Sequence, residues 1–534
     1  MTTAPTTTIR RATNLAEILS QTARRLPDGV AVVRGATRWS WRELDRRVDA
    51  LAAELARRGV GKGDVVMIDS PNHPEFIQAM FATWRIGAVL APVNSRLHDD
   101  DVAGIAGVCR PTVMIAHPST ASHAGTVRTA HELAGGVLWI DGADTDAIAQ
   151  VPAAKAPARV ATWEGDPAWY FFTSGTSGTP KAAILTHDQL GFVVNNHLAD
   201  LMPATDSRHA SLVVAPLSHG AGMHLLPQVA RGAATVLPSS AALEPEQVWE
   251  LVESERITNM FTVPTILKVL VDHPAAHRHD LSSLRYVIYA GAPMYTPDQE
   301  RARALLGEVL VQYYGLAEVT GAITVLPSAD HGRPVPAGFA VGTCGHPRTG
   351  MLVSVQDDTG AEVAAGEIGE LCVAGPAVFA GYLDNPRADA DAFRDGWFRT
   401  GDLGAVDEAG YVYVTGRSSD MYISGGSNIH PRDIEEKILT HDAIEEVAVL
   451  GVPDPKWGEV GVAVCVRAGG ATVDAEELTA WLGARIARYK LPRHILFWDA
   501  LPKSGYGKIV KRTIRDELAE RGWGPYSTAL QEVS

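Results

Sequence analysis

The stretch that most constrains this chain runs from residue 168 to residue 187, AWYFFTSGTSGTPKAAILTH. Residues 169–173 form an apolar, aromatic-rich run that reads as a buried strand, and residues 182–185 form a second apolar run after a segment of hydroxyls and glycines. The pattern is a strand, a loop and a strand. Gly175 and Gly178 let backbone N–H groups turn towards an anion, while Thr173, Ser174, Thr176, Ser177 and Thr179 add hydroxyl donors and Lys181 adds positive charge. Such a loop suits a polyphosphate. It is not a P-loop of the form GxxxxGK[ST], because Pro180 precedes the lysine, Ala182 follows it and no helix is predicted to begin there. A Gly/Ser/Thr-rich segment also serves as a plain solvated linker, so the rest of the chain has to decide.

At 534 residues the chain exceeds what one core usually supports, so at least two domains are expected. A formal charge of −15 with no long basic run argues against nucleic acid or an anionic membrane surface as the main partner. Cys109, Cys344, Cys372 and Cys465 stand singly, without CxxC spacing, as buried thiols in a reducing compartment would. The first residues carry no apolar signal-peptide core, and the longest apolar runs are broken by charge, as by Arg85. The expectation is a cytoplasmic protein with no membrane span.

Residues 1–12 read as a disordered lead-in. Asn14 with Glu17 predicts a capping box opening a helix; Ser40 with Glu43 predicts another, whose Leu44, Val48, Leu51 and Leu55 share one face until Gly59. Residues 65–69, 75–86 and 88–92 read as strand, helix and strand, which implies a parallel sheet. Asn72 and Asn94, at the ends of these elements, are explained by turn chemistry. Residues 142–166 shift to Ala, Pro and charge, as a surface connection would.

TSGTSGTPK at 173–181 resembles the phosphate loop of the acyl-adenylate-forming enzymes: acyl-CoA synthetases, peptide-synthetase adenylation domains and luciferases. Further motifs follow in that superfamily's order from about residue 39 to about residue 511. APLSHGAGM (215–223) is similar to its acyl-pocket mouth, with His219 over the bound carboxylate and Gly220 beside it. YVIYAGAPM (286–294) is similar to its adenine wall, with Gly291, Ala292 and Pro293 against the purine. In QYYGLAEVTG (312–321) the resemblance implies that Tyr314 and Gly315 pack on adenine and that Glu318 binds Mg²⁺ bridging the ATP phosphates; Ala317 stands where threonine is usual. WFRTGDLG and YVTGRSSD carry Asp402 for the ribose hydroxyls and Arg417 for ribose and phosphate. The hinge is expected at 418–419, with Ser419 where Asp or Lys is common.

MYISGGSNIHPRDIEEKI (421–438) resembles the acyl-CoA synthetase branch, in which Gly425 and Gly426 line the CoA pantetheine tunnel after the small domain rotates and Trp457 lies near the CoA. LPKSGYGKIVKR (501–512) resembles the motif that delivers a catalytic lysine, here Lys508, to bridge carboxylate and α-phosphate. The implied fold is α/β: a large multi-sheet adenylation domain (1–417), including a β-rich portion near 342–416, and a smaller mobile α+β lid (420–534). The implied reaction forms acyl-AMP from a carboxylate and ATP, then transfers the acyl group to CoA. By its spacing from Lys181, Asn196 is expected to face the substrate, among His219, Tyr313, Gly315, Thr320 and Gly321. This mix of small and polar side chains points to an aromatic or short-to-medium acid. A carrier protein or an amine as final acceptor, a homodimer, and a non-catalytic nucleotide-binding relative remain open at this stage.

Overall fold

The structure, a computed structural model, describes residues 11–141, 144, 145, 148, 160–173, 180–292, 294–336, 339, 341–424, 426–503 and 509–521. A six-stranded sheet takes the order Val137–Trp139, Val113–Ala116, Val65–Asp69, Val89–Val93, Pro167–Thr173, Lys181–Thr186. Its first five strands are parallel and the last is antiparallel. Helix Pro74–Arg85 joins two of these strands, and the strand–helix–strand spacing read from sequence agrees within two residues at each end. Every residue of that helix except the half-buried Glu75 is buried, which its near-continuous apolar composition requires.

A second sheet has nine strands, in the order His346–Pro347, Thr324–Leu326, Leu310–Tyr314, Tyr286–Tyr289, Asn259–Thr262, Ala210–Val213, Ala234–Val236, Val30–Arg34, Thr37–Ser40. Its centre is parallel and its ends are antiparallel. A hydrophobic core containing Trp41, Trp84 and Trp169 draws side chains from both sheets. Helix Trp41–Arg57 contributes Leu44, Val48, Leu51 and Leu55, all fully buried, and Ser40 Oγ accepts from Glu43 N at 3.2 Å as its N-cap. The capping box expected at Asn14 does not form. Helix Ala16–Arg25 starts without a side-chain cap bond on its N-cap residue, Leu15; Asn14 Oδ1 accepts from Ala16 N, and Nδ2 is drawn to Trp84 O at 2.8 Å.

A five-stranded antiparallel sheet follows, from Leu352–Gln356 to Val412–Arg417. Beyond it a smaller α+β unit holds a five-stranded sheet centred on the long antiparallel pair Ile444–Asp454 and Gly458–Arg467, packed by helices Pro431–Ile438, Ala475–Gly483 and Lys511–Glu520. It meets the larger part through Arg432, whose guanidinium donates to Val414 O at 2.7 Å, and through Tyr295 Oη, which donates to Glu435 Oε2 at 3.3 Å. The four cysteines are buried and free, and among the described residues no helix is long and apolar enough to cross a membrane.

Candidate active site

The strand–loop–strand reading of 168–187 corresponds to a hairpin in which Pro167–Thr173 pairs with Lys181–Thr186, Thr173 lying opposite Lys181. Ser174, Gly175, Thr176, Ser177, Gly178 and Thr179 lie outside the described residues. The outer edge of the hairpin takes up segment 379–383: Ala380 N donates to Ile184 O, Ile184 N to Gly381 O and Leu383 N to Ala182 O. Tyr382 is thereby set beside Lys181, whose Nζ lies 5.1 Å from its ring centroid. Tyr382 Oη donates to Glu318 Oε1 at 2.9 Å, and Phe379 N donates to Glu318 O at 2.7 Å. Burial, then the charge of Glu318, raises the Tyr382 pKa, so the phenol stays a donor. Tyr382 belongs to none of the motifs read from sequence.

Glu318 sits in a short 3₁₀ turn, Ala317–Val319, after strand Leu310–Tyr314. The turn closes back through Thr320 and Gly321, with φ of +50° and +75°. A side chain on Gly315 would meet the Gly321 backbone at 2.4–2.6 Å, so the two glycines allow the return. Glu318 is 9% exposed. Tyr382 occupies Oε1, and Oε2 has no hydrogen bond among the described residues, which fits a carboxylate offering oxygen to a hard cation.

Next to this turn, Tyr314 Oη donates to Asp402 Oδ2 at 2.5 Å, while Arg417 Nε holds Asp402 Oδ1 at 2.7 Å. Asp402 and Arg417 are cross-strand neighbours, and Asp402 is buried. Burial first, then the aspartate charge, raises the Tyr314 pKa far above that of a free phenol. The link from Tyr314 to Asp402 escaped the sequence reading, which gave Tyr314 only a stacking role. An ionised carboxylate accepts hydroxyl donors without needing a proton of its own.

His219 precedes helix Gly220–Arg231, packs edge-on against Phe171 at 5.0 Å between centroids, and lies 3.0 Å through Nδ1 from Ser218 Oγ. Burial lowers its pKa to about 4, so the ring is neutral at physiological pH. Asn72 clamps this segment, donating to Ala215 O at 2.9 Å and accepting from Leu217 N at 2.8 Å. Its role is therefore tertiary and not the local turn expected of it. Asn94 does make its turn, accepting from Arg96 N.

Lys181, Glu318, Asp402 and Arg417 thus come together through Tyr382 and Tyr314. Residues 19–383 match the sequence pattern of an AMP-binding enzyme, and residues 433–508 match that of the AMP-binding enzyme C-terminal domain. The chain belongs to the AMP-binding enzyme family. A feruloyl-CoA synthase of Amycolatopsis sp is 39% identical over 496 residues, 92% of this chain and 96% of that relative. An indoleacetate–CoA ligase of Aromatoleum aromaticum is 33% identical, with coverage of 90% and 94%. Among solved structures, ATP-bound MatB from Rhodopseudomonas palustris superposes with a TM-score of 0.85 at 28% identity, covering 95% of this chain and 99% of that one. The amide bond synthetase McbA from Marinactinospora thermotolerans gives 0.86 at 29% identity, covering 94% and 99%.

In this AMP-binding enzyme two of the residues expected at the adenine wall, Gly291, at φ +85° and exposed, and Ala292, follow strand Tyr286–Tyr289, while Pro293 lies outside the described residues. Around the expected acyl site, a side chain on Gly220 would meet the Phe261 ring at 2.7 Å and Tyr313 Oη at 3.5 Å, and one on Gly321 would meet Tyr313 at 2.8 Å. Thr320 is buried, its hydroxyl turned to the carbonyls of Val319 and Ala377. Asn196 is also buried, donating through Nδ2 to Thr349 O at 2.7 Å and to Asp200.

Ser419 is exposed in a turn between Arg417 and Tyr422. Gly426 is exposed at φ +82°, and a side chain there would meet nothing within 4 Å. In this arrangement its positive φ, and not crowding, is what favours glycine there. Trp457 is 43% exposed, and Gly425 and Lys508 lie outside the described residues. Among the described residues, His73, His117 and Asp141 are one set whose metal-ligand atoms lie within 4.8 Å of each other. His117 Nδ1 accepts from Ser119 N, so its neutral ring donates through Nε2 to Asp141 Oδ2 at 3.3 Å, a hydrogen-bonded arrangement that leaves Glu318 out.

Proposed function

We propose that this AMP-binding enzyme is an ATP-dependent carboxylic acid–CoA ligase, joining a carboxylate to AMP with release of pyrophosphate and then transferring the acyl group to CoA. The single observation that carries the reading is the contact series Lys181–Tyr382–Glu318 beside Tyr314–Asp402–Arg417, which gathers two cations, a carboxylate suited to a metal and a carboxylate suited to ribose. ATP and CoA are the substrates of this chemistry; Mg²⁺, when bound, would be held at Glu318 and would neutralise phosphate charge.

The chain's own groups have separable parts. Lys181 and Arg417 draw the polyphosphate in, and Asp402, oriented by Arg417 and Tyr314, accepts from the ribose. Tyr382 holds Glu318 by one oxygen and leaves the other for the cation. Neutral His219 lines the carboxylate without competing for charge. Lys508 supports adenylation by bridging the carboxylate and the α-phosphate, and the unit after Ser418–Ser419 then turns so that Gly425, Gly426 and Trp457 meet CoA. The acid is aromatic or short-to-medium, as the aromatic CoA-ligase relatives suggest.

The test is carboxylate-dependent ATP–pyrophosphate exchange together with thioester formation. Lys508→Ala is expected to lose exchange while the fold survives, and Gly426→Leu to keep exchange while losing thioester. Normal exchange in the first variant removes Lys508 from the mechanism. The likeness to an amide bond synthetase favours one second reading, an amine as final acceptor. Offering CoA and amines side by side to pre-formed acyl-AMP separates the two.

A further inference from the structure

Beside the Tyr313 ring lies a buried cation that the steps above do not use. Arg348, just after strand His346–Pro347, is 1% exposed. Its guanidinium donates to His197 Nδ1 at 3.1 Å, and its Nε makes an ion pair with Asp200 Oδ2 at 3.6 Å, which balances its charge but is too long for a hydrogen bond. Asp200 is already engaged by Asn196 Nδ2, Thr349 N and Thr349 Oγ1 at 3.1, 2.9 and 2.7 Å. Nε and one terminal nitrogen of Arg348 therefore lack an acceptor, Asn196 Oδ1 lacks a donor, and all three atoms are fully buried. Burial lowers the Arg348 pKa only to about 10, so the group carries charge at neutral pH. A buried guanidinium with idle donors calls for an acceptor.

The place of these atoms indicates which acceptor. The Arg348 guanidinium carbon lies 5.8 Å from the Tyr313 ring centroid, and Tyr313 is the ring that touches the space over Gly220 and Gly321. The idle donors are therefore one aromatic ring removed from His219 and the glycines assigned to the acyl site. We infer that Arg348 and Asn196 form the far end of the acyl pocket, and that the preferred acid carries an oxygen acceptor at the end opposite its reacting carboxylate. The inference rests on the ligase reading. The donors of Arg348 meet that oxygen; if it bears a proton, Asn196 Oδ1 takes it. A hydrocarbon tail leaves all three atoms unpaired, and sites built to hydrogen-bond reject the analogue lacking the partner.

The experiment measures kcat/KM for pyrophosphate release with acids on benzoic, cinnamic and alkanoic scaffolds, each ending in methyl, hydroxyl, methoxy or carboxylate. Wild-type enzyme is expected to prefer an oxygenated acid over its methyl isostere by about 10-fold or more, and the leading arm tells a neutral oxygen from an anionic one. Arg348→Met, similar in volume, should bring that ratio down by about 10-fold, mostly through KM, and Arg348→Lys should recover part of it for the carboxylate arm. No preference in wild type overturns the inference without need of a variant, as does an unchanged ratio in folded Arg348→Met. Failure of every acid to release pyrophosphate is a different result and overturns the ligase reading as well.

Discussion

Gly315→Ala separates packing from chemistry at the turn that carries Glu318. An added Cβ would stand 2.4 Å from Gly321 C and 2.5 Å from its Cα, against an ordinary contact of about 3.5–4.0 Å. Gly315 is not among the residues of positive φ, so alanine is locally acceptable and the whole effect is contact. The colliding atoms are backbone on both sides, so no rotamer change relieves them and one strand of the turn must move by about 1 Å. Overpacking of this kind costs about 1–3 kcal/mol, and a displacement of about 1 Å at a reacting group can lower activity about 100-fold. The expected variant is folded, modestly less stable by urea denaturation, and about 100-fold slower in ATP–pyrophosphate exchange. A folded Gly315→Ala enzyme with wild-type exchange would refute the claim that this backbone approach positions Glu318.

Gly191 lies inside helix His187–Asp200 and a Cβ there meets nothing, so Gly191→Ala should raise stability by about 0.5–1 kcal/mol in the same denaturation assay. Tyr382→Phe removes the donor from Glu318 and is expected to reduce exchange at limiting Mg²⁺ more than at saturating Mg²⁺; equal losses at both would count against the metal role. Burial lowers His187, His219 and His224 to about 4 in the folded state, below the value of about 6.5 expected when unfolded. The unfolded chain then binds more protons between those values, so the stability these residues contribute is present above pH 6.5 and lost as pH falls towards 4. The slope is about 1.4 kcal/mol per pH unit for each histidine, and His187→Gln should reduce it in denaturation curves at pH 7.5, 6 and 5. Burial raises Cys109 and Cys465 to about 12 and Cys344 and Cys372 to about 11, so a thiol reagent should label all four only on unfolding.

Helix Trp41–Arg57, the strand–helix–strand unit at 65–93 and the hairpin at 167–186 were all legible because their signals are local. A repeating apolar face, a serine three residues before a glutamate, or two apolar runs around glycines declare themselves within about 20 residues. The same locality explains the misreadings. Asn14 resembles a cap, yet Trp84 O, 70 residues away, draws its amide elsewhere. Asn72 resembles a turn residue, yet it braces the His219 segment from 143 residues away.

The sequence alone determined the family, the order of its motifs and the residue types available for anion and metal chemistry, because these are recorded in short runs with strict spacing. Only the tertiary structure decided that Tyr382 joins Lys181 to Glu318, that Tyr314 and Arg417 share Asp402, and that Arg348 is buried with donors to spare. Each of those arrangements needs side chains from separate strands, and no periodicity along a chain records which distant strands will pack together.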